Sequence, residues 1–481
     1  MKETLGIPDW QRDKTVEEIK EEVIEKAGDR SLKESGELME GSLSLLQHQQ
    51  RSGEKRIHHA ETVNDIDTSR GTNTEGEDVE IRRFQEGGVG YAKLNGGEII
   101  MTSDIHGNME DLTKPLEEFL ERVENGEDVY FSCSGDISLE GNKKLGSLEA
   151  LLAAQQKYPE RVFITPGNGD RRGTSLFAGL APELGQKYLP EETFTEIEAE
   201  VERILEKLWK EQQKVVEDEL VNKPGDAKLE KHLAKIKKYQ TKSGKRMDYN
   251  LLFGAVLMSA GRNAGAKPLD AKHFATRQIY SDFKNMLGIE GKSPALENSV
   301  GRAMIEATRK IKNPDSRFGN PNAIKQVFEH WQSVDQVINN LPTMQFIETP
   351  QGRIMISHTQ PAEIGSLGPY VYDPIDQQES LWHKFQPGME GKKVSKGHHV
   401  RYGEGVVGDF AKKNSIALAQ FGHTHINRNT VLEADGHQVT RLEIATSHRD
   451  KARGAHYARV NLDRLNEVTT SPEQVIETVK V

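Results

Sequence analysis

Apolar residues fall along this chain in short runs that stop abruptly at polar ones. Residues 98–103 (Glu-Ile-Ile-Met-Thr-Ser) end at Asp104, and residues 128–133 run into Gly135-Asp136. Residues 161–165 run into Pro166-Gly167-Asn168, residues 353–357 end at His358, and residues 415–421 end at Gly422-His423. Short apolar runs bounded by Gly or Pro suit strands covered on both faces. Between the first three runs lie helical stripes: Leu112, Leu116, Phe119, Leu120 and Val123, then Leu145, Leu148, Leu151, Leu152 and Gln155. Strand alternating with helix predicts a layered α/β (α+β) fold, in which ligands gather at the carboxyl ends of the strands.

A different periodicity fills the stretch between Asn168 and His358. Ile197, Val201, Ile204 and Leu208 recur at spacings of four and three, and the stripe runs on through Val215 to Leu220. The sequence Asn222-Lys223-Pro224-Gly225-Asp226 breaks the helix, and Leu229, Leu233, Ile236 and Tyr239 restart the period. This predicts an antiparallel helical hairpin over about 192–242, with narrow apolar seams and charged flanks, inside a helical insertion at 186–340. The remainder of that insertion, about 245–340, reads as helical and suited to a cap. The core is then split into 81–185 and 341–465, behind an N-terminal region 1–80 and ahead of a polar, accessory tail 466–481. Within the N-terminal region, Thr15 to Ala27 reads as an amphipathic helix and Ser52 to Asp78 as a polar linker or disordered stretch.

Composition narrows the function classes. Of 481 residues, 35% are hydrophobic and 29% charged, a balance that favours long exposed helices or disordered parts over one compact globule. A net charge of −11 argues against general nucleic-acid binding. No apolar run reaches membrane-spanning length, and Met1-Lys2-Glu3-Thr4 opens no secretory segment, so the expectation is a soluble cytosolic protein. The single cysteine, Cys133, rules out a disulfide framework and lies in a predicted buried strand. Position 139, where a cysteine-dependent phosphatase would need its arginine, is Leu, so Cys133 reads as core packing.

The polar residues at the strand ends carry the chemistry. They form blocks in a fixed order: Asp104-Ile105-His106-Gly107-Asn108, Gly135-Asp136, Gly167-Asn168, His358 and Gly422-His423-Thr424-His425. Each block alone reads as a turn, a cap or a structural histidine. Together they supply carboxylate, imidazole and amide-oxygen ligands for two adjacent metal ions, the apparatus of phosphoester cleavage.

These blocks resemble those of the calcineurin-like metallophosphoesterases, and Asp-Ile-His-Gly-Asn is similar to the form found in PPP-type protein phosphatases. The resemblance covers roughly residues 95–180 and 345–450. It implies a four-layer β-sandwich flanked by helices, with two divalent ions at its top, manganese favoured and iron or zinc also fitting. Carried over position by position, Asp104, His106 and His425 would hold the first ion, Asp136 would bridge, and Asn168, His358 and His423 would hold the second. Water activated between the two ions would attack phosphorus in line, and the substrate would be a phosphorylated protein docked by the hairpin. A core of this type with a large insertion also suits a bacterial effector acting in a host cytosol.

The departures from the family pattern carry a prediction of their own. Where the family reads Gly-Asp-X-X-Asp-Arg-Gly, this chain has Leu139 and Glu140 in place of the second Asp and the Arg. Where it reads Gly-Asn-His-Glu, Gly169 replaces the histidine that protonates the leaving group. General acid catalysis contributes about 10²–10⁴-fold and matters most for poor leaving groups. A phenolate, with a conjugate acid near pKa ~10, needs it less than an alkoxide does, so the expected bias is toward phosphotyrosine. His448 is a candidate substitute acid, and Arg171 and Arg172 are candidates for the missing phosphate clamp. Two alternatives stay open: a small-molecule (nucleotide) phosphoesterase of the same superfamily, and a non-catalytic binding protein.

Overall fold

The computed structural model describes residues 15–51, 63, 71–72, 78–79, 83–86, 88–138, 141–170, 179–240, 247–266, 320–359, 384–385, 392–394, 400–402, 404–423, 427–434, 436–446 and 455–481. The chain divides into two compact units, Met1–Arg171 with Gln336–Val481, and Arg172–Asp335.

The first unit is built on two mixed sheets. One has seven strands in the order β14-β15-β13-β9-β8-β4-β3. These are β3 (Arg83–Glu86), β4 (Val89–Lys93), β8 (Met344–Thr349), β9 (Gly352–Ser357), β13 (Ile416–Phe421), β14 (Arg428–Ala434) and β15 (His437–Glu443). The other has five, in the order β17-β16-β5-β6-β7, from β5 (Glu98–Thr102), β6 (Val129–Ser134), β7 (Val162–Thr165), β16 (His456–Asn461) and β17 (Ile476–Lys480). Small ladders join β1 (Gly71–Thr72) to β2 (Asp78–Val79), and β10 (Lys384–Phe385) and β11 (Lys392–Val394) to β12 (Val400–Tyr402).

Period-two alternation explains why the central strands are apolar throughout. In β9, Ile354 and Ile356 face the space between the sheets with Leu418, Ile99, Met101 and Val460. Met355 points the other way, into a cluster with Ala419, Phe421, Val407 and Phe410. Both faces are therefore buried, and each such side chain contributes about 1.5–3 kcal/mol by leaving water. Helix α3 (Met109–Glu124) packs on β6, where Phe119 meets Phe131 at 5.6 Å between ring centroids. Helix α4 (Lys144–Lys157) packs on β7. Across the other sheet α10 (Glu404–Lys413) covers the outer face, giving helix, sheet, sheet, helix. The fold is the layered α/β arrangement that the sequence predicts, two mixed sheets flanked by helices.

Two features differ from the sequence reading. Helix α4 carries one apolar stripe in sequence but is buried on every side from Leu145 to Gln155. The extra cover is the N-terminal segment: the helical turn Glu21–Glu25 and α2 (Leu32–Arg51) pack on α4, while α1 (Val16–Lys20, capped by a Thr15–Glu18 capping box) packs on α3. Glu149 is fully buried beneath it, accepting the Gly28 N–H at 2.8 Å and a Ser35 hydroxyl, with Arg30 at 3.5 Å. The segment 466–481, read as an accessory polar tail, instead supplies β17, which pairs antiparallel along β16 from His456↔Lys480 to Val460↔Ile476. Its polarity reflects an edge strand of which only the first residue, Ile476, is buried.

The second unit is helical. Helix α6 (Glu191–Asn222) runs 32 residues, turns through Lys223–Asp226, and is followed by α7 (Ala227–Gln240) and α8 (Met247–Asn263). Ile197, Val201, Ile204 and Leu208 are buried as the stripe predicts, but so are Leu205, Trp209 and Gln212. The buried face is wider than a two-helix seam because α8 packs on α6 alongside α7. Before them lies α5 (Ala181–Tyr188) and after them α9 (Pro321–Asn340). The expected cap over about 245–340 falls largely on residues 267–319, outside the described residues.

Candidate metal centre

Strands β5, β6 and β7 run parallel, as do β9 and β13, so their carboxyl ends bring the polar blocks together. The backbone at those ends is unusual. Asp104, His106, Asp136 and His423 have φ of 51°, 52°, 50° and 67°; Ser415, at 54°, is the other non-glycine residue in this region among those described. Left-handed backbone costs an L residue roughly 1–2 kcal/mol, and such strain concentrates where surrounding structure enforces it for function. Four of these positions are candidate ligands.

Side-chain geometry gives two ligand groups that share one carboxylate. Asp104, His106 and Asp136 place ligand atoms within 4.8 Å of one another, and so do Asp136, His358 and His423. His106 Nε2 lies 3.7 Å from Asp104 Oδ1 and 4.0 Å from Asp136 Oδ2. His358 Nε2 lies 3.4 Å from the same Asp136 oxygen and 3.0 Å from Asn168 Oδ1. Donors on one ion with bonds near 2.0–2.2 Å are separated by roughly 3–3.6 Å, so these atoms converge at ligand spacing.

Neighbouring groups aim the ligands. His358 Nδ1 sits 2.7 Å from the Ser134 carbonyl oxygen, an arrangement in which Nδ1–H donates and Nε2 is left as the ligand atom. Asp104 accepts the His423 backbone N–H at 3.0 and 2.9 Å on its two oxygens and the Ser103 hydroxyl at 2.9 Å. The His358 and His423 rings meet edge to face at 5.2 Å. Behind them Gln420 bridges the sheets, accepting from Ser132 Oγ at 2.8 Å and donating to the Thr102 carbonyl at 2.8 Å.

The electrostatics match a cation site. Burial pushes the Asp136 carboxyl up, but His358, His106 and His423 together hold it far below the carboxylate range. Asp104 is likewise lowered against its burial by His106 and His358. Burial would lower His358, yet Asp136 and Asp104 raise it to about 9. Ionised carboxylates this deep require compensating positive charge. With its carboxylate, imidazole and amide oxygens, the donor set fits divalent metal. Asp104, His106 and Asp136 would hold one ion, and Asp136, Asn168, His358 and His423 a second.

Gly169 donates its backbone N–H to Asp136 Oδ1 at 3.0 Å, so the position facing the shared carboxylate carries no side chain. Leu139, Glu140, Arg171, Arg172, His425 and His448 lie outside the described residues. Asp170, which sequence reasoning passed over, is 1% exposed and takes hydrogen bonds from Ile137, Ser138 and Gly167. Burial, followed by the Asp136 charge, raises its carboxyl. Asp170 stands at the acidic fourth position of the block that reads Gly-Asn-His-Glu in the family, the one signal in the sequence that could have marked it.

Residues 97–245 match the calcineurin-like phosphoesterase family. The matched span includes Asp104, His106, Asp136 and Asn168, while His358 and His423 lie beyond it. No curated protein matches the chain. Among solved structures, the chain is similar to a protein serine/threonine phosphatase from Saccharomyces cerevisiae with similarity to human phosphatase PP5. Identity is 10%, the TM-score 0.43, and the alignment covers 94% of this chain and 90% of that one. At that distance the likeness bears no functional weight.

Proposed function

We propose that this metal-dependent phosphatase, with its calcineurin-like phosphoesterase domain, hydrolyses phosphomonoesters on proteins at a two-ion centre and favours phosphotyrosine. The observation that carries the reading is Asp136, one buried carboxylate belonging to both ligand groups. Two divalent ions, manganese in the first instance, would supply water activation near neutral pH and neutralise charge on the transferring phosphoryl group. The chain's own part is to hold the ligands. Asp136 spans both groups, Ser134 orients His358 through its carbonyl, and Asp104 is fixed by the His423 amide. At Gly169 the chain presents only a backbone N–H, already given to Asp136, and so offers no proton to a leaving group from that position. An aryl leaving group tolerates that lack better than an alkyl one, since its conjugate acid has a pKa of ~10. His448 as an alternative acid and Arg171 or Arg172 as phosphate clamps belong to the same proposal. So does docking of the substrate protein by α6 and α7.

The test is turnover of matched phosphotyrosine, phosphoserine and phosphothreonine peptides by the full chain with Mn²⁺, alongside Asp136→Asn. The expected result is at least a tenfold preference for phosphotyrosine, abolished in the variant. Equal turnover of phosphoserine would remove the tyrosine bias. Failure on every peptide, with hydrolysis of nucleotides, would move the substrate to small molecules.

A further inference from the structure

The assignment above gives Asp170 no task, yet it is among the most completely bonded side chains near the site. Its Oδ1 accepts the Ser138 backbone N–H and the Ser138 hydroxyl, each at 2.9 Å. Its Oδ2 accepts the Gly167 N–H at 2.8 Å, and the Ile137 N–H lies 3.0 Å from both oxygens. In the opposite direction the Gly169 N–H donates to Asp136 Oδ1 at 3.0 Å. The loop after β6 and the loop after β7 are thus braced reciprocally, each lending a carboxylate to the other's amides. One loop carries Asp136, the other Asn168, and the His358 Nε2 atom lies 3.4 Å from the first and 3.0 Å from the second.

We infer that Asp170 is a positioning residue of the metal centre: its carboxylate locks the Asp136 loop to the Asn168 loop and so sets the spacing of the shared carboxylate and the amide ligand. The inference rests on the two-ion reading above. Side chains that orient ligands from behind, without touching the ion, typically govern about 10–100-fold in metal affinity. Asparagine cannot take over the role, because both oxygens of Asp170 accept from N–H groups. Whichever way the amide is turned, its NH₂ meets a backbone donor.

Mn²⁺ binding to the metal-stripped full chain is measured by isothermal titration calorimetry for the parent protein, Asp170→Asn and Asp170→Glu, with folding followed by circular dichroism. The expected result is a folded Asp170→Asn protein that binds Mn²⁺ about 10–100-fold more weakly. Its hydrolysis of p-nitrophenyl phosphate should recover in excess Mn²⁺, which a general loss of structure would not allow. Should Asp170→Asn fail to fold, Asp170→Glu carries the same test: the charge is kept, the carboxylate is displaced by one methylene, and affinity is expected to fall. A folded variant of either kind with parental Mn²⁺ affinity overturns the inference. A parent protein that binds no Mn²⁺ instead sinks the metal reading itself.

Discussion

Gly135 has a φ of 89°, and a Cβ placed on it would lie 2.4 Å from the Gly167 nitrogen. The two loops that carry Asp136 and Asn168 touch backbone to backbone there, and neither can retreat without moving a ligand. Gly135→Ala adds about 1–2 kcal/mol of left-handed strain to that clash. It is expected to lower Mn²⁺ affinity at least tenfold; calorimetry showing parental affinity would mean the loops are not held as described. Cys133, in the strand that leads into this loop, makes the opposite prediction. Burial pushes its thiol up to about 12, so it should resist iodoacetamide at pH 8 in the folded chain and react only after denaturation. Mass spectrometry reads both states. At this scale Asp104, Asp136 and His358 were legible because each terminates an apolar run. Asp170 was not, because its role lies in hydrogen bonds to amides of another loop.

The elements tell the same story in larger pieces. Strands β5, β6, β7, β9 and β13 were readable because burial on both faces leaves continuous apolar runs. Strand β17 was not, since only its first residue, Ile476, is buried and Glu477, Thr478 and Lys480 are polar. Yet its pairing runs the length of β16, and Val475 and Ile476 close the core beside it. Deleting residues 472–481 would expose the β16 edge and that apolar end. The truncated chain is expected to melt several degrees lower and to scatter light at concentrations where the parent stays clear. Unchanged melting would show that β17 is dispensable. Helix α4 shows the complementary failure. Its stripe predicted one buried face, and the second face became readable only once the N-terminal helices were seen to cover it, with Glu149 beneath.

On the scale of the whole molecule, two units with different cores share one chain, and their stabilities need not respond alike to pH. The helical unit contains His330, 6% exposed, its ring edge-on to Tyr188 at 5.5 Å between centroids. Burial, with the Lys187 charge adding to it, lowers His330 to about 4. An unfolded histidine titrates near 6.5, so between these values the unfolded state binds more protons than the folded one, and stability falls as pH falls through that window. The full difference is about 3 kcal/mol at 1.36 kcal/mol per pKa unit, reached below pH ~4. His330→Gln removes the titration while keeping a polar side chain of similar reach. Urea unfolding followed by circular dichroism at pH 7.5 and 4.5 separates this from the carboxylates, which titrate in both proteins. The parent is expected to lose more stability than the variant over that interval, by an amount approaching the full difference. Parallel losses in the two proteins would mean that His330 accepts its proton in the folded state, and that the helical unit opens to water around it.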